Sequence, residues 1–325
     1  MNIQRRIALG AFLAAAILGT STAQAAWPAD KPITYVVPFT PGGSTDVVGR
    51  MIAQKLSKIL NQNIIVENRA GAGGSIGAAY VAHAAPDGYT LFGGTINTNA
   101  INYSLYKNLQ YSPKDFAPVS LVATLPNVLL VAPNIGVNSV ADLIALLKRD
   151  PARRMFASSG VGTSTHLTGE LFAATIGVPL THIPYKGTPP AMVDVSSGAV
   201  TFMFDQMTAA LPLLQNGKLK LLAVTTAQRM PMSPDTPTLG EAGLPGFDVS
   251  SWQAVFVPKG TPQPIVDKLS KAIAEIVKDP DVQEKLGKTM GMNLVGSTPE
   301  QLQALIDKEI ARWADVVKRA KITAQ

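Results

Sequence analysis

Apolar runs and 3.6-residue periodicities alternate along this chain, the pattern of α/β architecture. Ile33–Phe39 is an almost unbroken apolar run and predicts a buried strand. After a glycine turn, Val47, Val48, Met51, Ile52, Leu56, Ile59 and Leu60 share one face of a helix over Asp46–Leu60. Asn63–Glu67 reads as the next strand and Ser75–Ala84 as the next helix. The turn Pro86-Asp87-Gly88 precedes a strand around Leu91 and Phe92. In the middle of the chain, strands are expected at Val128–Ala132, Met155–Ser158, Leu180–Ile183, Thr201–Phe204 and Leu219–Val224. Helices are expected at Val140–Lys148 and His166–Ile176. The proline-rich stretch Met230–Pro237 cannot be helical, because proline fixes the backbone and removes donors; it reads as an extended crossing segment. Ser251–Val257 predicts another strand, and Thr261-Pro262 opens a helix. Thr298-Pro299-Glu300-Gln301 opens the last one with a capping box, and Leu302, Leu305, Ile306, Trp313, Val316 and Val317 form its apolar stripe.

The N-terminus follows a different logic. Arg5 and Arg6, the apolar run Ile7–Leu18 and Ala23-Gln24-Ala25 have the layout of a secretory signal peptide, with cleavage expected after Ala25. Residues flanking the arginines fit the twin-arginine route poorly, which favours the general route. The mature protein is expected to be exported to the periplasm.

Composition narrows the chemistry. The chain has 325 residues, 46% hydrophobic and 15% charged, which excludes disorder as the main state. It has no cysteine, which excludes disulfides, zinc–thiolate sites, iron–sulfur clusters and cysteine nucleophiles. His83, His166 and His182 are too dispersed in sequence for a His-x-x-x-His metal pair. The net charge of +6 is scattered, with no basic run interleaved with aromatics, and implies no nucleic-acid partner.

Three glycine loops carry the candidate chemistry. Phe39-Thr-Pro-Gly42-Gly43-Ser44-Thr-Asp46 joins a strand to a helix, leaving bare amides at a helix start. Such a start is an anion site, although the residues also suit a plain turn. Ser158-Ser-Gly-Val-Gly162-Thr163-Ser164-Thr-His166 repeats the arrangement in the middle of the chain with more hydroxyls. Both loops lack Arg and Lys, so a ligand anion is expected to rest on amides of Gly42–Ser44 and Gly162–Ser164. The third loop, Asn68–Gly77, misses the dinucleotide fingerprint at Ile76. It does contain Gly73-Gly74-Ser75-Ile76-Gly77, the spacing of a serine-hydrolase nucleophile elbow, but residues intervene between the strand and Ser75. Asp205 ends a buried strand and suits either a ligand contact or a turn cap; Asp46 suits the dipole of its helix, and His166 either a ligand contact or packing.

Six motifs in one order resemble a known family. They are Pro38-Phe39-x-Pro41-Gly42-Gly43-x-x-Asp46, Glu67-Asn68-Arg69 with its glycines, Pro86–Thr90, Pro184-Tyr185-Lys186-Gly187, Phe204-Asp205 and Pro234–Gly243. Together they look like the extracytoplasmic solute receptors of tripartite tricarboxylate transporters, the Bug receptors. The resemblance implies a type II periplasmic binding-protein fold, with two α/β lobes, a ligand cleft and a crossing-strand hinge. It implies a first lobe from residues 26–125 plus 231–325 and a second lobe from 126–230. It also implies a carboxylate ligand, no cofactor, no metal and no catalysis. The implied ligand-binding residues are Phe39, Gly42, Gly43, Ser44, Asp46, Ser158, Gly162, Thr163, Ser164, His166 and Asp205. The implied partners are the membrane permease subunits of such a transporter, or a sensor protein, with the receptor a monomer. A secreted hydrolase using Ser75 and an orphan ligand sensor are the competing readings.

Overall fold

The computed structural model describes residues 27–185, 187–230, 232–319 and 322. The expected signal peptide lies outside them. The chain runs β1 (Ile33–Val37), α1 (Ser44–Leu60), β2 (Ile64–Asn68), α2 (Ser75–Ala82) and β3 (Thr90–Thr95). A π-helical turn, Asn97–Ile101, continues into α3 (Asn102–Leu105). Then follow β4 (Phe116–Val131), α4 (Val140–Arg149), β5 (Met155–Ser158), α5 (Ser164–Ile176), β6 (Thr181–Pro184), α6 (Thr188–Ser197), β7 (Phe202–Gln206), α7 (Met207–Gln215) and β8 (Lys220–Val224). The chain ends with β9 (Ser250–Pro258), α8 (Gln263–Ile276), α9 (Pro280–Val282), β10 (Asn293–Leu294) and α10 (Pro299–Arg319).

The strand order is β2-β1-β3-β9-β4-β7-β5-β6, with β8 and β10 also pairing β4. The strands β1, β2 and β3 are parallel, as are β5, β6 and β7. Between these two parallel groups lie the antiparallel β9 and the long β4. The strand β4 changes partner midway. Phe116 to Pro126 pair with β9, whereas Asn127 to Val131 pair with β7. One strand therefore belongs to the sheets of both lobes and joins them.

Each lobe is a sandwich built on the alternation of its strands. In the first, Ile33, Tyr35 and Val37 face Val48, Ile52 and Leu56 of α1 and Leu269 and Ile273 of α8. Ile59, expected on the packed face of α1, is instead 46% exposed. In the second, Val128, Leu130 and Met203 face Ala191 and Val195 of α6 and Met207 of α7. A third cluster runs under both lobes, from Phe92 and Phe256 through Leu129 to Phe156, Phe172 and Phe202. The last helix closes it with Leu302, Ile306, Trp313, Val316 and Val317. Its capping box forms as expected: Thr298 N–H donates to Gln301 Oε1 (3.0 Å), and Gln301 N–H to Thr298 Oγ1 (3.3 Å).

The proline-rich stretch differs from its expected course. Met230 packs in the second-lobe core, and the Val224 amide donates to the Pro237 carbonyl. This part of the chain thus runs beside β8. The return to the first-lobe sheet comes later, where the Val249 amide donates to Thr225 and Ser250 pairs with Pro126.

Candidate functional site

The first two glycine loops turn out to be built on one plan. Each follows the end of a parallel strand, β1 or β5, and leads into α1 or α5. Gly42 (φ 86°) and Gly162 (φ 76°) both take the left-handed conformation that glycine tolerates. Each then donates its amide to the side chain four residues on: Gly42 to Asp46 Oδ2 (2.9 Å) and Gly162 to His166 Nδ1 (3.0 Å). The strand after each helix braces that side chain. Asn68 Nδ2 donates to Asp46 Oδ1 (2.9 Å) and to the Phe39 carbonyl. His182 stacks on His166 with ring centroids 3.7 Å apart and bonds Ser158 Oγ (2.6 Å).

These bonds change the expected roles of several residues. Asp46 is buried, and burial opposes its ionisation. The bonds from Arg50, Gly42 and Asn68 outweigh that penalty and hold its carboxyl below the usual range. Its oxygens are occupied, so it shapes the loop from within. His166 is buried and its Nδ1 already accepts a proton-bearing amide. Burial, aided by His166, pushes His182 down to about 3, so it is a neutral partner across the working range. Ser158 is fully buried. Asp205 is also buried, accepting from Thr188 Oγ1 (2.7 Å) and the Gln206 amide (2.7 Å); burial pushes its carboxyl up to about 6.

The amide inventory shifts accordingly. Gly42 and Gly162 spend their amides internally, and the Thr163 amide donates to the Gly160 carbonyl. Thr163 also caps α5 by accepting from the His166 amide. By contrast, α1 starts at Gly43 with no side-chain cap. Its first turn is the more open end, and Ser44 stands on it half-buried. Ser44 Oγ accepts from Nε2 of Gln253 on β9 (3.2 Å).

The turn Asn97–Ile101 and α3 tie the loops together. Asn97 Nδ2 donates to the Gly162 carbonyl (3.0 Å), reaching from the first lobe to the second. A Cβ at Gly162 would collide with Leu105, so the two lobes touch there. Asn102 Nδ2 donates to the Gly73 carbonyl and to Ser75 Oγ (3.1 Å each). A Cβ at Gly74 would run into Thr98 and Phe39. The third glycine loop is thus a brace behind the first. Arg69 stacks its guanidinium 3.5 Å over the Tyr80 ring and pairs with Glu67.

Ser75 does not have the surroundings of a nucleophile. Its hydroxyl accepts from Asn102, beside Tyr111. His83 bonds the Ala79 carbonyl, and the other two histidines stack on one another. Sequence reasoning missed Gln253 and gave no role to Asn97 or to the Asn97–Leu105 segment. The run Asn97-Thr98-Asn99 after an apolar strand was the one visible signal of that segment. Among the described residues there is no group of three or more acidic or imidazole side chains able to hold a metal, and no helix long and apolar enough to cross a membrane.

Comparison with known proteins places this geometry. Residues 48–322 match the tripartite tricarboxylate transporter family receptor. The chain belongs to this family. Protein BugT of Bordetella pertussis is 39% identical over 321 residues, covering 98% of each chain. Among solved structures, R. palustris Rpa4515 with adipate is 40% identical with a TM-score of 0.84, covering 91% of this chain and 99% of the other. MatC from Rhodopseudomonas palustris with bound malate is 37% identical with a TM-score of 0.80, covering 89% and 99%. Receptors of this family are periplasmic solute-binding proteins, and adipate and malate are both carboxylates.

Proposed function

We propose that this receptor captures a small carboxylate in the periplasm, without turnover, and delivers it to the permease subunits of a tripartite tricarboxylate-type secondary transporter. The observation that carries this reading is the uncapped start of α1, with Ser44 on it, in the loop matched by the second-lobe loop that Asn97 grips. A carboxylate there would meet the positive end of a helix, first-turn amides and a hydroxyl. Gly43, Ser44 and Ser164 would touch the ligand, with Phe39 at the loop's start. Asp46, Ser158, Gly162, Thr163, His166 and Asp205 would hold the two loops and the cleft floor in shape. Neither loop carries Arg or Lys. Charge-assisted hydrogen bonds of about 1.5–3 kcal/mol each suffice for micromolar binding, about −8 kcal/mol, after association costs.

Supporting the destination are the family of the chain and the expected signal peptide ending at Ala25. The test is a thermal-shift screen of organic acids against neutral sugars on ligand-free mature protein. An acid at 100-fold its dissociation constant stabilises by about 2.7 kcal/mol, which raises the melting temperature by at least a few degrees. A response to sugars and none to acids overturns the ligand class. Recovery of a sensor protein, rather than permease subunits, with the ligand-loaded form would replace transport by signalling.

A further inference from the structure

Behind each of the two loops stands one buried primary amide. Gln253 on β9 lies opposite Thr95 of β3 and Ala123 of β4. Asn127 on β4 lies opposite Gln206 of β7. Each occupies the antiparallel strand next to the third parallel strand of its lobe. Each donates to a hydroxyl on the helix that its loop begins: Gln253 Nε2 to Ser44 Oγ (3.2 Å), Asn127 Nδ2 to Thr168 Oγ1 (3.1 Å). Gln253 is 4% exposed and Asn127 is fully buried. Yet Gln253 Oε1 and Asn127 Oδ1 are both buried without a hydrogen-bond partner. Buried carbonyl oxygens are normally satisfied, so each orphan calls for a donor that the protein's own side chains and backbone do not provide.

The two differ in what they can reach. Asn127 backs onto Thr168, whose hydroxyl donates inward to the Ser164 carbonyl. Gln253 touches Ser44, on the uncapped helix start itself. Having accepted from Gln253, Ser44 keeps its own O–H for an anion, while Oε1 of the same amide lacks a donor. The donor that fits is a neutral O–H. An ammonium would need a free carboxylate, and the nearby Asp46 already accepts from Gly42, Arg50 and Asn68.

We propose that Gln253 is a specificity-determining residue: its Oε1 accepts from a ligand hydroxyl placed beside the carboxylate, so that the site selects hydroxy acids over the same acids lacking the hydroxyl. This rests on the carboxylate reading above and refines it. A site built around a ligand hydroxyl rejects the deoxy analogue, because the analogue leaves the buried acceptor unpaired.

The experiment is calorimetric titration of the mature protein with matched pairs: malate and succinate, citrate and tricarballylate, mandelate and phenylacetate, with aspartate as the ammonium control. The hydroxy acid of the pair that binds best is expected to bind at least about ten-fold tighter, equivalent to about 1.4 kcal/mol. Gln253→Leu should bring that ratio below about three-fold, and Gln253→Met serves the same purpose if the leucine variant does not fold. Ser44→Ala should weaken both members equally and keep the ratio. Equal binding within every pair, with a common loss in Gln253→Leu, puts an ordered water on Oε1 and overturns the proposal. So does a preference for aspartate over malate. Binding of no acid at all instead removes the carboxylate reading on which the proposal stands.

Discussion

Asn97 of the first lobe donates its Nδ2 to the main-chain carbonyl of Gly162 on the second, over 3.0 Å. This bond joins the lobes without any ligand atom, and Leu105 packs against the same glycine. It holds the two lobes in the arrangement seen here, in which the Gly162 loop lies against the Asn97–Leu105 segment. A ligand then binds more tightly to the extent that closure is already favoured. Asn97→Ala should weaken acid binding about five-fold, the loss of one neutral hydrogen bond of about 1 kcal/mol. Asn97→Asp should weaken it further by setting a carboxylate against a carbonyl. Calorimetry measures both; unchanged affinity in the two variants would show that closure does not use this bond.

Adjacent glycines of the first loop should respond differently to alanine. Gly42 has φ 86° and anchors the loop to Asp46, whereas Gly43 has φ −77° and a Cβ there would make only ordinary contact with the Thr40 carbonyl oxygen at 3.8 Å. Gly42→Ala should destabilise the fold by about 1 kcal/mol or more. Gly43→Ala should melt within about 0.5 kcal/mol of the parent. Gly43→Val should stay folded yet bind acids weakly, because the side chain crowds the helix start. Melting curves and titrations separate the two effects; equal stability of Gly42→Ala and Gly43→Ala would contradict the assigned geometry.

Arg69 is the control for a cation near the cleft. Its guanidinium is engaged by Tyr80 and Glu67. Arg69→Met should therefore leave acid affinity within about two-fold, an effect of less than 0.5 kcal/mol. Loss of binding in this variant would move the anion site to the third glycine loop.

Asp205 predicts a pH signature. Burial raises its carboxyl to about 6 from the ordinary 3.8. Between those values the folded state holds the proton more tightly than the unfolded state, so this group's contribution falls as pH rises. The cost is absent below about pH 4 and complete above about pH 6. About two pKa units correspond to roughly 3 kcal/mol. Asp205→Asn removes the titration, so its stability relative to the parent should rise by about that amount from pH 4 to pH 7. Denaturant titrations of the ligand-free proteins at the two pH values measure the difference; a constant offset would mean that Asp205 ionises normally.

How much of this was legible beforehand depended on whether a signal was local. Alternating apolar runs located the short parallel strands, and the stripe Leu302–Val317 located α10, because periodicity reports directly on a buried face. The first two-thirds of β4 were not read, since Pro118 and Pro126 break the apolar run; both sit in the strand opposite β9. Pro212 likewise hid α7. Asn97-Thr98-Asn99 has the composition of a loop and forms a helical turn only because buried partners surround it. The glycine loops announced flexible backbone at helix starts. They did not reveal that Gly42 and Gly162 face inward, because the acceptors Asp46 and His166 are chemically unlike. Gln253 had no signal at all: a single amide in an apolar strand acquires meaning from the helix end placed opposite it.

The central position of β9 has a consequence for the making of the protein. It lies between β3 and β4, yet its residues follow those of β3 by nearly half of the chain. At roughly 5–20 residues per second, a ribosome delivers the missing strand on the order of ten to thirty seconds after β3 has emerged. Throughout that interval the β9-facing edge of β3 and the Phe116–Pro126 part of β4 lack the strand that pairs them. The sheet of the first lobe therefore cannot be completed until β9 has been made, long after the strands it joins.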